Sequence, residues 1–139
     1  MKRDVVLSIQ GRQHYGSQEP ETIELVTEGT MEFRDGGWDI TYEESELTGL
    51  EGTKTTVKLD GKTVALIRTG TFPSHMLFAE DERHVGLYQT PIGQDMTIAT
   101  HTSRVSNTVG ENGGRLVIDY TVEVDNSLMG EHHFEMVVS

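Results

Sequence analysis

Arg68 is the residue whose neighbours invite a chemical reading first. It alternates with Val64 and Leu66, so on an extended strand its guanidinium shares a face with two apolar side chains. A guanidinium in that position suits a carboxylate held in a forked geometry, either inside the protein or on a ligand. The acids that could meet it lie in Glu43-Glu44-Ser45-Glu46. Alternation assigns Glu44 and Glu46 to the face of Trp38, Ile40 and Tyr42. A carboxylate turned inward needs a partner, or its pKa climbs until it is neutral. Three arrangements stay open. The acids can form an acid/base pair or polar anchor for a ligand, they can sit at a solvated rim, or Glu44 can bridge to Arg68 for structure alone. For Arg68 the further alternative is a core face made of Ala65 and Ile67, which leaves the guanidinium outside.

Other chemistry finds less support. The histidines at 14, 75, 84, 101, 132 and 133 lack the His-x-His spacing that puts two ligands on one strand face. His132 and His133 are adjacent and point to opposite faces, so no metal is expected. Threonines are abundant, but no Gly-x-Ser-x-Gly elbow accompanies them. The stretch Gly49 to Thr53 lacks the lysine of a phosphate-binding loop and reads as a bend. With no triad, metal set or nucleotide loop, neither an enzyme nor a cofactor is expected.

The elements that must position Arg68 and Glu44 are strands. Between Glu21 and Arg34 the odd positions are mostly apolar and the even ones mostly charged. Asp35-Gly36 and Asp60-Gly61 are hairpin signals, and Glu111-Asn112-Gly113-Gly114 is a third turn. Alternation returns at Trp38 to Glu43, Lys54 to Leu59, Lys62 to Thr69, Leu116 to Val124 and Phe134 to Val138. Short strands are expected at His75 to Glu80 and His84 to Thr90, and a threonine-rich one at Asp95 to Val105. About eight to ten strands joined by tight turns cannot remain one flat open sheet. A closed antiparallel up-and-down β-barrel satisfies them better than a sandwich, whose Greek-key crossings need longer connections. Its interior face would include Ile23, Phe33, Trp38, Tyr42, Met76, Tyr88, Met96 and Tyr120.

Composition limits the partners. The 139 residues suit a single domain, 1–139. There is no cysteine and hence no disulfide framework. The formal net charge of −12, with no basic run, argues against nucleic acid and anionic membranes. The opening MKRDVVLSIQ is too broken for a signal-peptide core, and no stretch is long enough to span a membrane, so a cytoplasmic location is expected.

A family likeness adds to this. The segment YEESELTGLEGTKTTVKL, Tyr42 to Leu59, resembles the YwiB-like family of small bacterial proteins of unknown function. The likeness continues through IRTGTFPSHMLF (Ile67 to Phe78), YQTPIG (Tyr88 to Gly93) and GGRLVIDYTVEV (Gly113 to Val124), covering nearly the whole chain in order. It implies a calycin-type barrel similar to lipocalins and fatty-acid-binding proteins, and no activity. Fatty-acid-binding barrels hold the lipid head group with an internal arginine, which is an analogy for Arg68. They also cap the barrel with a helical pair, for which Gly11 to Pro20 is too short and too polar.

The expectation is a non-enzymatic barrel that takes a small amphipathic or anionic ligand in its lumen. Arg68, Glu44, Glu46, Tyr42, Trp38, Tyr88, Tyr120 and Met76 are the candidate contacts. The alternative is a filled barrel acting as a structural or protein-interaction module, as a homodimer for example. A lumen that binds ligand should show a continuous cavity of roughly 300 Å³ or more reaching Arg68.

Overall fold

The computed structural model describes residues 2–14, 19–46, 50–71, 73–89, 95–124 and 127–139. Among them the alternating segments become ten strands: β1 (Lys2–His14), β2 (Glu21–Arg34), β3 (Gly37–Glu43), β4 (Thr53–Asp60), β5 (Thr63–Gly70), β6 (Ser74–Ala79), β7 (Arg83–Gln89), β8 (Asp95–Asn107), β9 (Gly114–Val124) and β10 (Ser127–Val138). Each pairs antiparallel with the next. β10 returns to β1 over the register from Leu7↔Val138 to His14↔Glu131, closing the barrel.

The turns behave as their residues require. Asp35 and Gly36 both have positive φ, at 54° and 81°, the geometry of a two-residue hairpin that matches strand twist. At the β4–β5 turn only the first position, Gly61, is positive, at 62°. One end of the barrel, here the lower, carries these two turns, the β6–β7 turn and the β8–β9 connection. The upper end carries the other connections.

Inward positions fill the lower half. Val5, Leu7, Met31, Ile40, Val57, Leu59, Val64, Phe78, Leu116, Ile118, Met136 and Val138 form one buried cluster. Leu7 and Val64, absent from the expected lining, are fully buried in it. Two expected lining residues are corrected. Ile23 and Phe33 share the inward face of β2 but lie near its ends, past the packed layer, and are 37% and 53% exposed. A register shift between Thr102 and Arg104 also alters the inward set. The extra residue there moves the buried face of β8 from even positions (Thr100, Thr102) to odd (Val105).

One seam is poorly zipped. The β5–β6 ladder runs from Thr63↔Ala79 to Arg68↔Ser74, and β7–β8 from Arg83↔His101 to Gln89↔Asp95. Between β6 and β7 the pairing consists of Ser74↔Tyr88 alone. Below that pair Thr100 Oγ1 on β8 donates to Leu77 O on β6 at 3.2 Å.

Candidate ligand-binding site

Four neighbouring strands assemble a polar cluster on the inner wall of the upper half. Tyr42 faces Thr55, Thr55 faces Arg68, and Arg68 faces Ser74. This row lies directly above the apolar row of Ile40, Val57, Leu66 and Met76, and alternation points its side chains the same way. Glu44 follows the end of β3, where its N–H still bonds to Thr53 O at 2.9 Å. That bond keeps the strand path for one more residue and turns Glu44 inward.

Glu44 is deeply buried, its side chain 1% exposed. Thr55 Oγ1 donates to Glu44 Oε2 at 2.5 Å, and Arg68 Nε lies 3.7 Å from the same oxygen. Tyr42 is hydrogen-bonded to Glu44 and to Thr55. Burial, then the Glu44 charge, push the Tyr42 phenol well above its ordinary range, with Arg68 opposing. Of the arrangements open at the sequence level, this geometry is the Arg68–Glu44 bridge. At 3.7 Å, however, the contact is too long for a hydrogen bond.

Unspent capacity is therefore concentrated inside the barrel. Among the described residues, four buried side-chain atoms have no hydrogen-bond partner: Arg68 Nε, Ser74 Oγ, His84 Nδ1 and Thr102 Oγ1. A buried polar atom left so costs about 1–3 kcal/mol unless something binds it.

The facing wall is aromatic. Tyr120 stacks on His132 with centroids 5.0 Å apart and packs against Phe78 at 4.7 Å. Burial lowers the pKa of His132, which favours a neutral ring. The inward residues of the upper half on this side, Ile9, Ile98, Tyr120, Val122, Val124, His132 and Phe134, all keep partial solvent exposure. Their lower counterparts Leu7, Leu116, Ile118 and Met136 do not. The lumen is thus a filled base beneath a shallow bowl, with the Glu44–Arg68–Ser74 wall on one side and the Tyr120–His132–Phe134 wall on the other.

The eight candidate contacts divide accordingly. Tyr42, Glu44 and Arg68 come together, Tyr120 faces them on the other wall, and Met76 packs against the core below Ser74. Trp38 is at the lower end, packed edge-on to Phe33 at 5.0 Å. Glu46 is exposed beyond the end of β3. Tyr88 pairs with Ser74 through its backbone, while its side chain, like that of Met96, lies outside the described residues. Sequence reasoning missed Thr55 and Ser74. Thr55 alternates with Val57 and Leu59, which was the available signal; Ser74 directly follows Pro73, a composition that suits a turn.

Two of the cavities lined by described residues lie away from Arg68. One, of about 810 Å³, is a trough on the outside of β1 to β5. The other, of about 130 Å³, lies in the β6–β7 seam. The continuous cavity of roughly 300 Å³ reaching Arg68 that a ligand-binding lumen should show is not one of these two. No helix among them is long and apolar enough to cross a membrane, and no group of three or more acid or histidine side chains there could hold a metal ion.

Comparison with known proteins yields a family and a fold. The model of a domain of unknown function, DUF1934, matches residues 7–136. The crystal structure of the ywiB protein from Bacillus subtilis superimposes with a TM-score of 0.82 at 17% identity, covering 99% of this chain and 92% of that one. A search of curated proteins finds no match.

Proposed function

The chain belongs to the DUF1934 family, and we propose that its barrel is a binding module, without catalytic chemistry, for a small amphipathic anion seated in the upper bowl. The observation that carries this reading is the pair of unspent groups on one wall, Arg68 Nε and Ser74 Oγ, opposite a part-exposed aromatic wall. Arg68 Nε–H and the Ser74 hydroxyl can both donate to an anionic head group. Tyr120, Phe134 and Met76 offer its body an apolar surface. Glu44 keeps the guanidinium aimed inward while leaving its Nε–H free of a hydrogen bond.

Anilinonaphthalene sulfonate, an amphipathic anion, tests this. It should bind the folded chain with one site, and Arg68→Met should weaken it by about tenfold or more, the worth of one charge-assisted hydrogen bond. Unchanged affinity in a folded Arg68→Met variant overturns the anchor role.

A second reading rests on the outer trough. Glu28 and Glu43 both line it, and neither is in an ion pair among the described residues, although Lys54 lies across from Glu43. Acids gathered on one face attract a cationic partner. A partner protein presenting lysine or arginine would meet them, making the filled barrel an interaction module. An oligolysine peptide should then bind in a salt-sensitive way and lose affinity with Glu43→Gln.

A further inference from the structure

The upper bowl holds very little positive charge. All eleven lysines and arginines lie among the described residues. Nine of them are exposed, and Lys58 is half-buried on the outer trough, 3.2 Å from Asp39. Arg12 and Lys54 lie in the upper half, but they fall out of phase with the inward Ile9 and Thr55 and so point outside. Arg68 is thus the only lysine or arginine on the inner wall of the bowl. On the facing wall, burial pushes His132 toward its neutral form.

That one cation already has a neighbour of opposite charge. Arg68 Nε lies 3.7 Å from Glu44 Oε2, and the Glu44 side chain is 1% exposed. An oxygen accepting from Arg68 Nε–H would stand about 2.9 Å from the nitrogen, hence no farther than about 6–7 Å from Glu44 Oε2. Salt screens charges poorly at that range when one of them is buried. The Arg68–Glu44 pair is formally neutral, so every negative charge on an incoming head group is surplus. Hydrogen bonds from Arg68 Nε–H and from Ser74, whose buried hydroxyl has no partner, can offset one such charge. A second charge meets no second cation, and it meets the Glu44 carboxylate at close range.

We propose that Glu44 sets the charge of the ligand: the bowl accepts a head group with a single negative charge, a carboxylate or a sulfonate, and rejects the dianion of a phosphate monoester. This inference rests on the reading of the bowl as an anion site and names the class of anion it takes. Glu44 is then a specificity-determining residue, and Thr55, donating to it at 2.5 Å, fixes the carboxylate beside the guanidinium. The net charge of −12 works in the same direction, since it repels a dianion more than a monoanion.

Two probes with the same ring system, naphthalene-1-sulfonate and 1-naphthyl phosphate, separate the cases by backbone NMR titration of the full chain. At pH 8 the sulfonate is a monoanion and the phosphate, with a second pKa of about 6, a dianion. The sulfonate should bind about tenfold tighter or more, with shifts at Arg68 and Ser74. At pH 5 the phosphate carries one charge fewer, and its affinity relative to the sulfonate should rise about tenfold. Glu44→Gln should raise phosphate affinity at pH 8 relative to the sulfonate by a similar factor. The comparison of pH 8 with pH 5 in the unaltered chain decides the matter even if that variant does not fold. Equal affinities at pH 8 with both probes shifting Arg68, or a preference for the phosphate, overturn the selection by charge and leave the anion site standing. Shifts from neither probe at Arg68 and Ser74 overturn both.

Discussion

Thr55, Tyr42 and Arg68 all direct polar groups at Glu44, and that convergence explains how a glutamate can be buried at the edge of an apolar core. Removing a single partner should hurt more than removing both. Arg68→Met leaves a buried carboxylate without its cation and should lower unfolding free energy by roughly 2–4 kcal/mol in denaturant titrations. Glu44→Gln combined with Arg68→Met should recover part of that loss, a coupling that a double-mutant cycle reads directly. If Arg68→Met leaves stability unchanged, the bridge holds nothing. On the outer face of β9 and β10, His133 lies between Asp119 and Glu135, with Arg115 pairing Glu135 at 2.6 Å. The hydrogen bonds to Glu135 and Asp119 raise the His133 pKa above its ordinary 6.5. Its stabilising contribution is therefore complete below 6.5 and disappears as pH rises through the raised value. Arg115, then His133, lower Glu135 from its ordinary 4.5, so that contribution is complete above 4.5 and fades as pH falls through the lowered value. Stability measured from pH 5 to pH 9 should fall on the alkaline side, and His133→Gln should flatten that fall; an unaltered slope in the variant contradicts the assignment.

Strands and turns were the most legible part of the chain, because period-2 alternation and Asp-Gly turns act locally. Asp35-Gly36 both specified and formed a hairpin. What alternation could not deliver was where an inward face stops being buried. Ile23 and Phe33 obey the period of β2 yet protrude, since burial depends on what the neighbouring strands supply at that height. The bulge after Thr102 was equally illegible, as one inserted residue inverts the face without leaving a mark in composition. The open seam was hidden for the same reason: β6 and β7 look like ordinary strands, and only pairing reveals the gap. Amides on the facing edges of β6 and β7 below Ser74↔Tyr88 should exchange with solvent faster than those of the β4–β5 hairpin. Uniform protection around the barrel would mean the seam is closed in solution. Gly29 offers a test of the opposite kind. Its added Cβ would meet Thr41 O at 2.6 Å and Leu7 Cδ1 at 2.9 Å, so Gly29→Ala should cost about 1–3 kcal/mol through overpacking, readable as a lower melting temperature.

At the scale of the whole molecule the ten described strands close into one barrel, parted only along the β6–β7 seam, and the chain carries a net charge of −12. Barrel closure was legible in the sequence as an argument from tight turns. The pairing of Arg68 with Glu44 was legible only as one of several arrangements, because it depends on the relative heights of β3 and β5, which the intervening loop conceals. The division into a filled base and an upper bowl was not legible at all, since both halves use the same alternation. That division is the centre of the account, and backbone NMR of the chain titrated with anilinonaphthalene sulfonate tests it most directly. Saturable shifts at Arg68, Ser74, Tyr120 and Phe134, with Leu7 and Leu116 unmoved, are the predicted result. Shifts confined to Lys54, Lys58 and the outer trough, or none that saturate, would contradict it.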